Sequence, residues 1–338
     1  MTVSLMLREA LEAPARLEAL LAADDDLYAS LARRLRNQPP RFAFTIARGS
    51  SDHVASYAAS LIQSHVGLIT ASLSPSVWTR ARAELRVDGA LAVAISQSGS
   101  GPDVVETMRM ARARGALTVA IVNEPGSLLA AAAEHVLTCR AGPETAIAAT
   151  KTVLATLAAS ARLVANWAAG DSLKTALGRL PDAVRQAQSL TWAEALVSHL
   201  AKASACFVIS RGPGLAIAQE IALKLQELAG LPALAYSSAE FQHGPKALLS
   251  REHPALLLPV ASWVGDDIDR LSGEVPSAPS EVACVGRTPG LEAPQSLHPD
   301  LDPILLLAAF HPALDSLVRA RGYDPDRPPR LAKVTKTL

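Results

Sequence analysis

Over 338 residues, 32 Lys plus Arg balance 32 Asp plus Glu, so no overall field steers the chain to nucleic acid or acidic membranes. Hydrophobic residues reach 49%, enough for two ordinary domains, yet the longest apolar stretches, such as Ala255–Val260, fall far short of the ~20 residues that span a bilayer. Arg8, Glu9 and Glu12 interrupt the start, which predicts no signal peptide.

Residues 1–40 read as a helical segment. Strand candidates follow at Phe42–Ile46, Leu68–Ser72, Ala90–Ile95, Leu117–Val122 and His135–Cys139, with helical stretches between them. A long Ala-rich helix is expected from about Thr145 to Ala169. This alternation predicts an α/β fold, a parallel sheet with helices on both faces. A helical connector over 171–202, clearest at Asp182–Lys202, leads to strands at Cys206–Ile209, Ala233–Tyr236, Ala255–Val260 and Val282–Val285. The expected division is therefore 1–40, 41–170, 171–202, 203–320 and a tail, 321–338. In that tail Pro325, Pro328 and Pro329 forbid a helix, leaving an ordered extended segment or a frayed end. Cys139, Cys206 and Cys284 lie in apolar runs and fit buried, reduced thiols of a cytoplasmic protein. The eight His are scattered without ligand spacing, so no metal is expected.

The two halves look related. Ile46-x-Arg48-Gly49 matches Ile209-x-Arg211-Gly212, 163 residues on, and the same offset pairs Gln63 with Gln226, Gly67 with Gly230 and Leu68 with Leu231. Duplication is the better reading, although Ala-rich helices also match by chance. Ligands in such sheets bind beyond the carboxyl ends of the strands, where connections diverge. The loops Arg48-Gly49-Ser50-Ser51 and Ser96–Gly101 both sit there.

The run Ser96-Gln97-Ser98-Gly99-Ser100-Gly101 stands between an apolar strand and a helical pattern starting at Asp103. Strand, small polar loop and helix N-terminus make an anion cradle of amides and hydroxyls, which points to a phosphate site that uses no metal. An ordinary turn uses the same residues. The loop alone leaves both readings open, and its spacing matches neither Gly-x-Gly-x-x-Gly nor a P-loop.

The second half holds the ionisable groups. Glu220, Lys224 and Glu227 fall on one stripe of a helix, which the sequence by itself favours as a solvated face. In Glu240-Phe241-Gln242-His243-Gly244-Pro245 the Gly-Pro pair puts His243 at a helix end or loop, where it could titrate near neutral pH or merely lie exposed.

Five motifs stand in order along the chain: Ile95-Ser96-Gln97-Ser98-Gly99, Ala148-Ala149-Thr150-Lys151, Ala222-Leu223-Lys224-Leu225-Gln226-Glu227, the His243 stretch and Leu331-Ala332-Lys333. With Met6-x-x-Glu9-x-x-Glu12-x-Pro14 ahead of them, the chain resembles the sugar isomerase (SIS) superfamily, and within it the isomerase half of glucosamine-6-phosphate synthase. The resemblance implies two similar SIS subdomains, each a flavodoxin-like three-layer sandwich. It implies that Ser51, Ser96, Gln97 and Ser98 hold a sugar 6-phosphate, and that Arg48, Gly49, Ser50, Ile147, Ala148 and Ala332 belong to the same substrate site. Glu227 would move a proton between C1 and C2, assisted by Lys224. His243 would open the sugar ring, reaching the site from the partner subunit of a homodimer. Lys333, with the tail, matches the lysine that forms a Schiff base with the ketose.

Departures refine that expectation. Thr2 stands where the synthase has its glutaminase Cys, so no glutaminase activity is expected. Gly101 replaces a phosphate-binding Thr, leaving Ser100 or backbone amides to compensate. The Ser-Gly-x-x-Pro-Asp loop and the Val-Thr-Lys-Thr ending look more like stand-alone deaminases of amino-sugar phosphates. The expected activity is conversion of glucosamine 6-phosphate to fructose 6-phosphate and ammonia, with no cofactor, nucleic acid or membrane. A deglycase or isomerase for another amino-sugar or fructosamine 6-phosphate is the alternative, and a sugar-phosphate-binding regulatory module is the non-enzymatic one.

Overall fold

The structure is a computed structural model that describes residues 3–168, 170–260, 268, 271 and 281–333. In chain order, α1 (Leu5–Leu11), α2 (Ala13–Leu21) and α3 (Asp25–Asn37) precede β1 (Ala43–Ile46), α4 (Ser50–Val66), β2 (Thr70–Ser72) and the short α5 (Ser76–Thr79). Then come β3 (Leu91–Ser96), α6 (Pro102–Ala113), β4 (Leu117–Val122), α7 (Leu128–Ala132) and β5 (His135–Thr138). Three helices follow, α8 (Lys151–Trp167), α9 (Asp171–Gln188) and α10 (Ala193–Leu200). The last elements are β6 (Cys206–Ser210), α11 (Gly214–Ala229), β7 (Ala233–Ser237), α12 (Ser238–Gln242), β8 (Ala255–Leu257), β9 (Val282–Cys284) and α13 (Asp302–Ala320).

All nine expected strands are present, and every pairing between them is parallel. One compact unit, Ala15–Pro143 with Thr152–Gly178, holds the sheet ordered β2-β1-β3-β4-β5. That is the doubly wound, flavodoxin-like order. The other unit, Met1–Pro14 with Glu144–Lys151 and Arg179–Lys333, holds the sheet ordered β7-β6-β8-β9. Most strand residues are buried, as parallel strands covered on both faces must be, and this is why they read as unbroken apolar runs.

The repeat of 163 residues is carried by strand register. Ala43 pairs with Thr70 as Cys206 pairs with Ala233, and Phe44 pairs with Ala92 as Phe207 pairs with Ala255. Side chains repeat their work too. Gln63 Nε2 donates to the Thr70 carbonyl at 3.3 Å, and Gln226 Nε2 to the Ala233 carbonyl at 2.5 Å, each satisfying the start of an edge strand. Phe44 meets Trp78 with ring centroids 6.2 Å apart, and Phe207 meets Phe241 at 5.3 Å. Gly49 and Gly212 share a positive φ, +55° and +56°, at the loop after the first strand of each sheet. That conformation favours glycine over any residue with a Cβ, so the Ile-x-Arg-Gly punctuation has a backbone cause.

One expected boundary changes. The helix expected from Thr145 begins at Lys151, because carboxylates take the backbone donors upstream. Glu9 accepts from the amides of Thr145 (2.7 Å) and Ala146 (2.9 Å), and Glu144 from that of Thr150 (2.9 Å). The tail is neither frayed nor helical through Lys333. Asp326 accepts from the amides of Leu5 (2.8 Å) and Met6 (2.9 Å), capping α1, and Tyr323 packs onto Gly230. The Val334–Thr337 ending lies outside the described residues. Finally, α13 is long and apolar enough to cross a membrane by composition, but most of it is buried inside its own unit together with Asp302, His311 and Asp315. Cys139, Cys206 and Cys284 are buried and in no disulfide among the described residues, and burial pushes the Cys206 thiol up to about 12.

Candidate active site

In the five-stranded unit, the loops after β1 and β3 leave neighbouring strands at the point where strand order reverses. They are tied together by Arg48, whose Nε donates to Asp103 Oδ2 at 3.0 Å, with Asp103 almost fully buried and Arg48 half exposed. Ser96 Oγ accepts from the Gly99 amide (3.1 Å), and the Ser98 and Ser100 hydroxyls lie 2.8 Å apart. Gly99 has φ +59°, and a Cβ there would stand 2.1 Å from Ser127 Oγ, so the loop's tight turn requires glycine twice over. The helix end beneath is less open than a bare cradle. Pro102 has no amide to give, and Asp103 Oδ1 accepts from Val104 N at 2.9 Å. What this loop presents is hydroxyls, with the half-exposed Arg48 beside its helix, more than a row of vacant amides. Asp52, in the first turn of α4 next to Ser51, is half-buried, and that burial holds its carboxyl above the usual carboxylate range against the pull of His53 and Arg48.

In the other unit α11 overturns the solvated-face reading. Glu220 and Lys224 are each about 1% exposed, while Glu227 keeps a quarter of its side chain in solvent. Lys224 Nζ donates to Glu227 Oε2 at 2.5 Å and stands 3.4 Å from Glu220 Oε1. Burial opposes a charge on Lys224, yet the two carboxylates outweigh it and hold the ammonium above its ordinary range. The array is one cation between two carboxylates, with the reachable carboxylate at its end. His311 of α13 completes it. The side chain is fully buried, and neither ring nitrogen has a hydrogen-bond partner among the described residues. Burial pushes its imidazole down to about 3, against the pull of Glu220 and with the push of Lys224, so it is neutral at pH 7. Sequence reasoning missed His311, since an imidazole inside an apolar helix gives no local signal.

His243 is the C-cap residue of α12 and is exposed, at the helix end that the Gly-Pro pair predicted. Ile147 and Ala148 lie in the segment 144–150 held by Glu9 and Glu144, and Ala332 and Lys333 lie in the ordered tail. Lys333 Nζ stands 3.3 Å from Glu144 Oε2. Within this unit the structure therefore joins Lys224 with Glu227, and Lys333 with Glu144. In the five-stranded unit it joins Arg48 and the serine loop. Among the described residues no group of three or more His, Cys, Asp or Glu stands close enough to hold a metal ion.

A protein-family model described as the SIS domain matches residues 39–165 and 199–260. Among curated proteins, the glutamine–fructose-6-phosphate aminotransferase (isomerizing) of Aeropyrum pernix is 34% identical over 277 residues, covering 73% of this chain and 43% of that protein. The chain thus spans about half the length of the curated relatives it matches. Among solved structures, a candidate phosphosugar isomerase from Silicibacter pomeroyi DSS-3 is 36% identical, with a TM-score of 0.89 over 96% of this chain and 100% of that one. The glucosamine-6-phosphate deaminase of Thermotoga maritima shares the fold, with a TM-score of 0.77 at 21% identity over 99% of this chain and 100% of that one.

Proposed function

Because the chain belongs to the SIS-domain family, we propose that it is a phosphosugar isomerase that deaminates glucosamine 6-phosphate to fructose 6-phosphate and ammonia. The observation that carries this reading is Glu227, a part-exposed carboxylate held 2.5 Å from a buried lysine. Aldose–ketose chemistry needs one such group, fixed in place and able to take and return a proton; a positioned base of this kind supplies ~10²–10⁴-fold. The 36% identity to the Silicibacter pomeroyi protein over nearly the whole chain supports the substrate class.

In this reading the five-stranded unit binds the phosphate and the four-stranded unit carries the acid–base groups. Ser51, Ser96, Gln97, Ser98 and Ser100 take the phosphate, which anchors the substrate away from the reacting carbons. His243, supplied by the second copy of a homodimer, opens the ring. Glu227 then removes the C2 proton of the 2-amino aldose and delivers it to C1, leaving a ketimine at C2. Water hydrolyses the ketimine, releasing ammonia and the ketose. Lys224 fixes Glu227, and Lys333 stabilises the negative charge that develops on oxygen. No cofactor takes part. The three buried cysteines, in no disulfide among the described residues, suit the cytoplasm.

The test is ammonia release from glucosamine 6-phosphate without glutamine. Ammonia and fructose 6-phosphate in equal amounts are expected. Thermal stabilisation by hexose phosphates without ammonia refutes deamination and turns the search to another phosphosugar.

A further inference from the structure

The segment 144–150 is held by acids at both ends, and one of those acids reaches further. Glu144 Oε1 accepts from the Thr150 amide at 2.9 Å and from its hydroxyl at 3.3 Å. Its Oε2 faces Lys333 Nζ at 3.3 Å. The Glu144 side chain has no solvent exposure, whereas Lys333 keeps a quarter of its own. The neighbouring Lys151 is engaged elsewhere, donating to Glu12 at 2.9 Å. A carboxylate fixed by two donors cannot follow a moving lysine, so it dictates where the lysine sits.

We propose that Glu144 is the positioning residue for Lys333, holding it at rest as an ion-paired ammonium. Lys333 then serves the reaction as a fixed cation beside the substrate oxygen. Because Glu144 also closes the turn that carries Ile147 and Ala148, the same carboxylate sets the lysine and that turn together. The role of Lys333 in turnover rests on the function proposed above, but the pairing does not.

Labelling with acetic anhydride at about pH 8, read by peptide mass, tests the pairing without any substrate. Held against the buried Glu144 carboxylate, Lys333 should react about fivefold or more slowly than the exposed Lys202 and Lys246, and Glu144→Gln, which frees it from that contact, should raise the Lys333 rate about fivefold while leaving the other two unchanged. A wild-type Lys333 that labels as fast as Lys202 overturns the proposal, and that comparison holds even if the variant does not fold. So does a Glu144→Gln chain that folds and labels like wild type. On glucosamine 6-phosphate, Lys333→Arg should stay within about tenfold of wild-type kcat while Lys333→Met loses about a hundredfold, since arginine keeps the charge but cannot form an imine. Equal losses overturn the cation role. A wild-type chain inert toward that substrate, with labelling as expected, refutes the deaminase reading and leaves the pairing standing.

Discussion

Lys224→Met removes the cation between Glu220 and Glu227 while keeping nearly the same volume. Glu220 is about 1% exposed, so the substitution leaves a buried carboxylate stripped of its nearest ammonium, 3.4 Å away in the wild type. Breaking a buried pair in this way costs ~3–5 kcal/mol, far above the 0.3–0.5 of a surface helix pair. The assay is urea unfolding at about pH 7 and again near pH 4.5, close to the ordinary glutamate value of ~4.3. At the lower pH the stranded carboxylate can bind a proton, so the loss should shrink there by at least half. In the wild type, Lys224 is held above its unfolded value; its stabilisation is full below the unfolded value of about 10.4 and is lost as pH rises through the higher folded value. Glu220→Leu combined with Lys224→Met removes both charges and should recover most of the loss. A Lys224→Met penalty below ~1 kcal/mol, or one independent of pH, would refute the buried array, because only a solvated pair behaves that way.

Other consequences are open to direct measurement. Glu227→Gln should lower kcat on glucosamine 6-phosphate by about a thousandfold or more while changing sugar-phosphate binding little; retained turnover removes Glu227 from proton transfer. Gly99→Ala meets both an unfavourable φ of +59° and Ser127, so it should cost ~2–4 kcal/mol, against ~1 for Gly67→Ala, which has φ +71° but nothing within 4 Å. Equal costs at the two sites, read by denaturant midpoint, would mean the Ser127 contact is not felt. His311 is held down to about 3 by burial, so the unfolded chain binds its proton first and wild-type stability falls as pH drops from about 6.5 toward 3. His311→Leu should flatten that slope by roughly one proton; an unchanged pH dependence argues against a buried neutral imidazole.

Strand positions, the parallel alternation and the duplication were legible along the chain because each has a local cause. Buried parallel strands must be apolar throughout, and Gly49 and Gly212 answer a positive φ that few other residues accept. The family resemblance rested on short motifs whose spacing survives without any contact being known. Residues 145–150 read as helix because their Ala-rich composition follows helical propensity, whereas their amides are claimed by Glu9 and Glu144. Glu9 lies about 136 residues away along the chain. Glu220 and Lys224 looked like a solvated i, i+4 pair because sequence spacing gives the face of a helix but not what packs on it. That α13 lies against α11 and brings His311 to the same array is a tertiary fact. Sequence by itself determined the strands, the repeat and the motifs that match the family. Burial and pairing across distant segments decided which of those charges are hidden, since both depend on neighbours that no local pattern names.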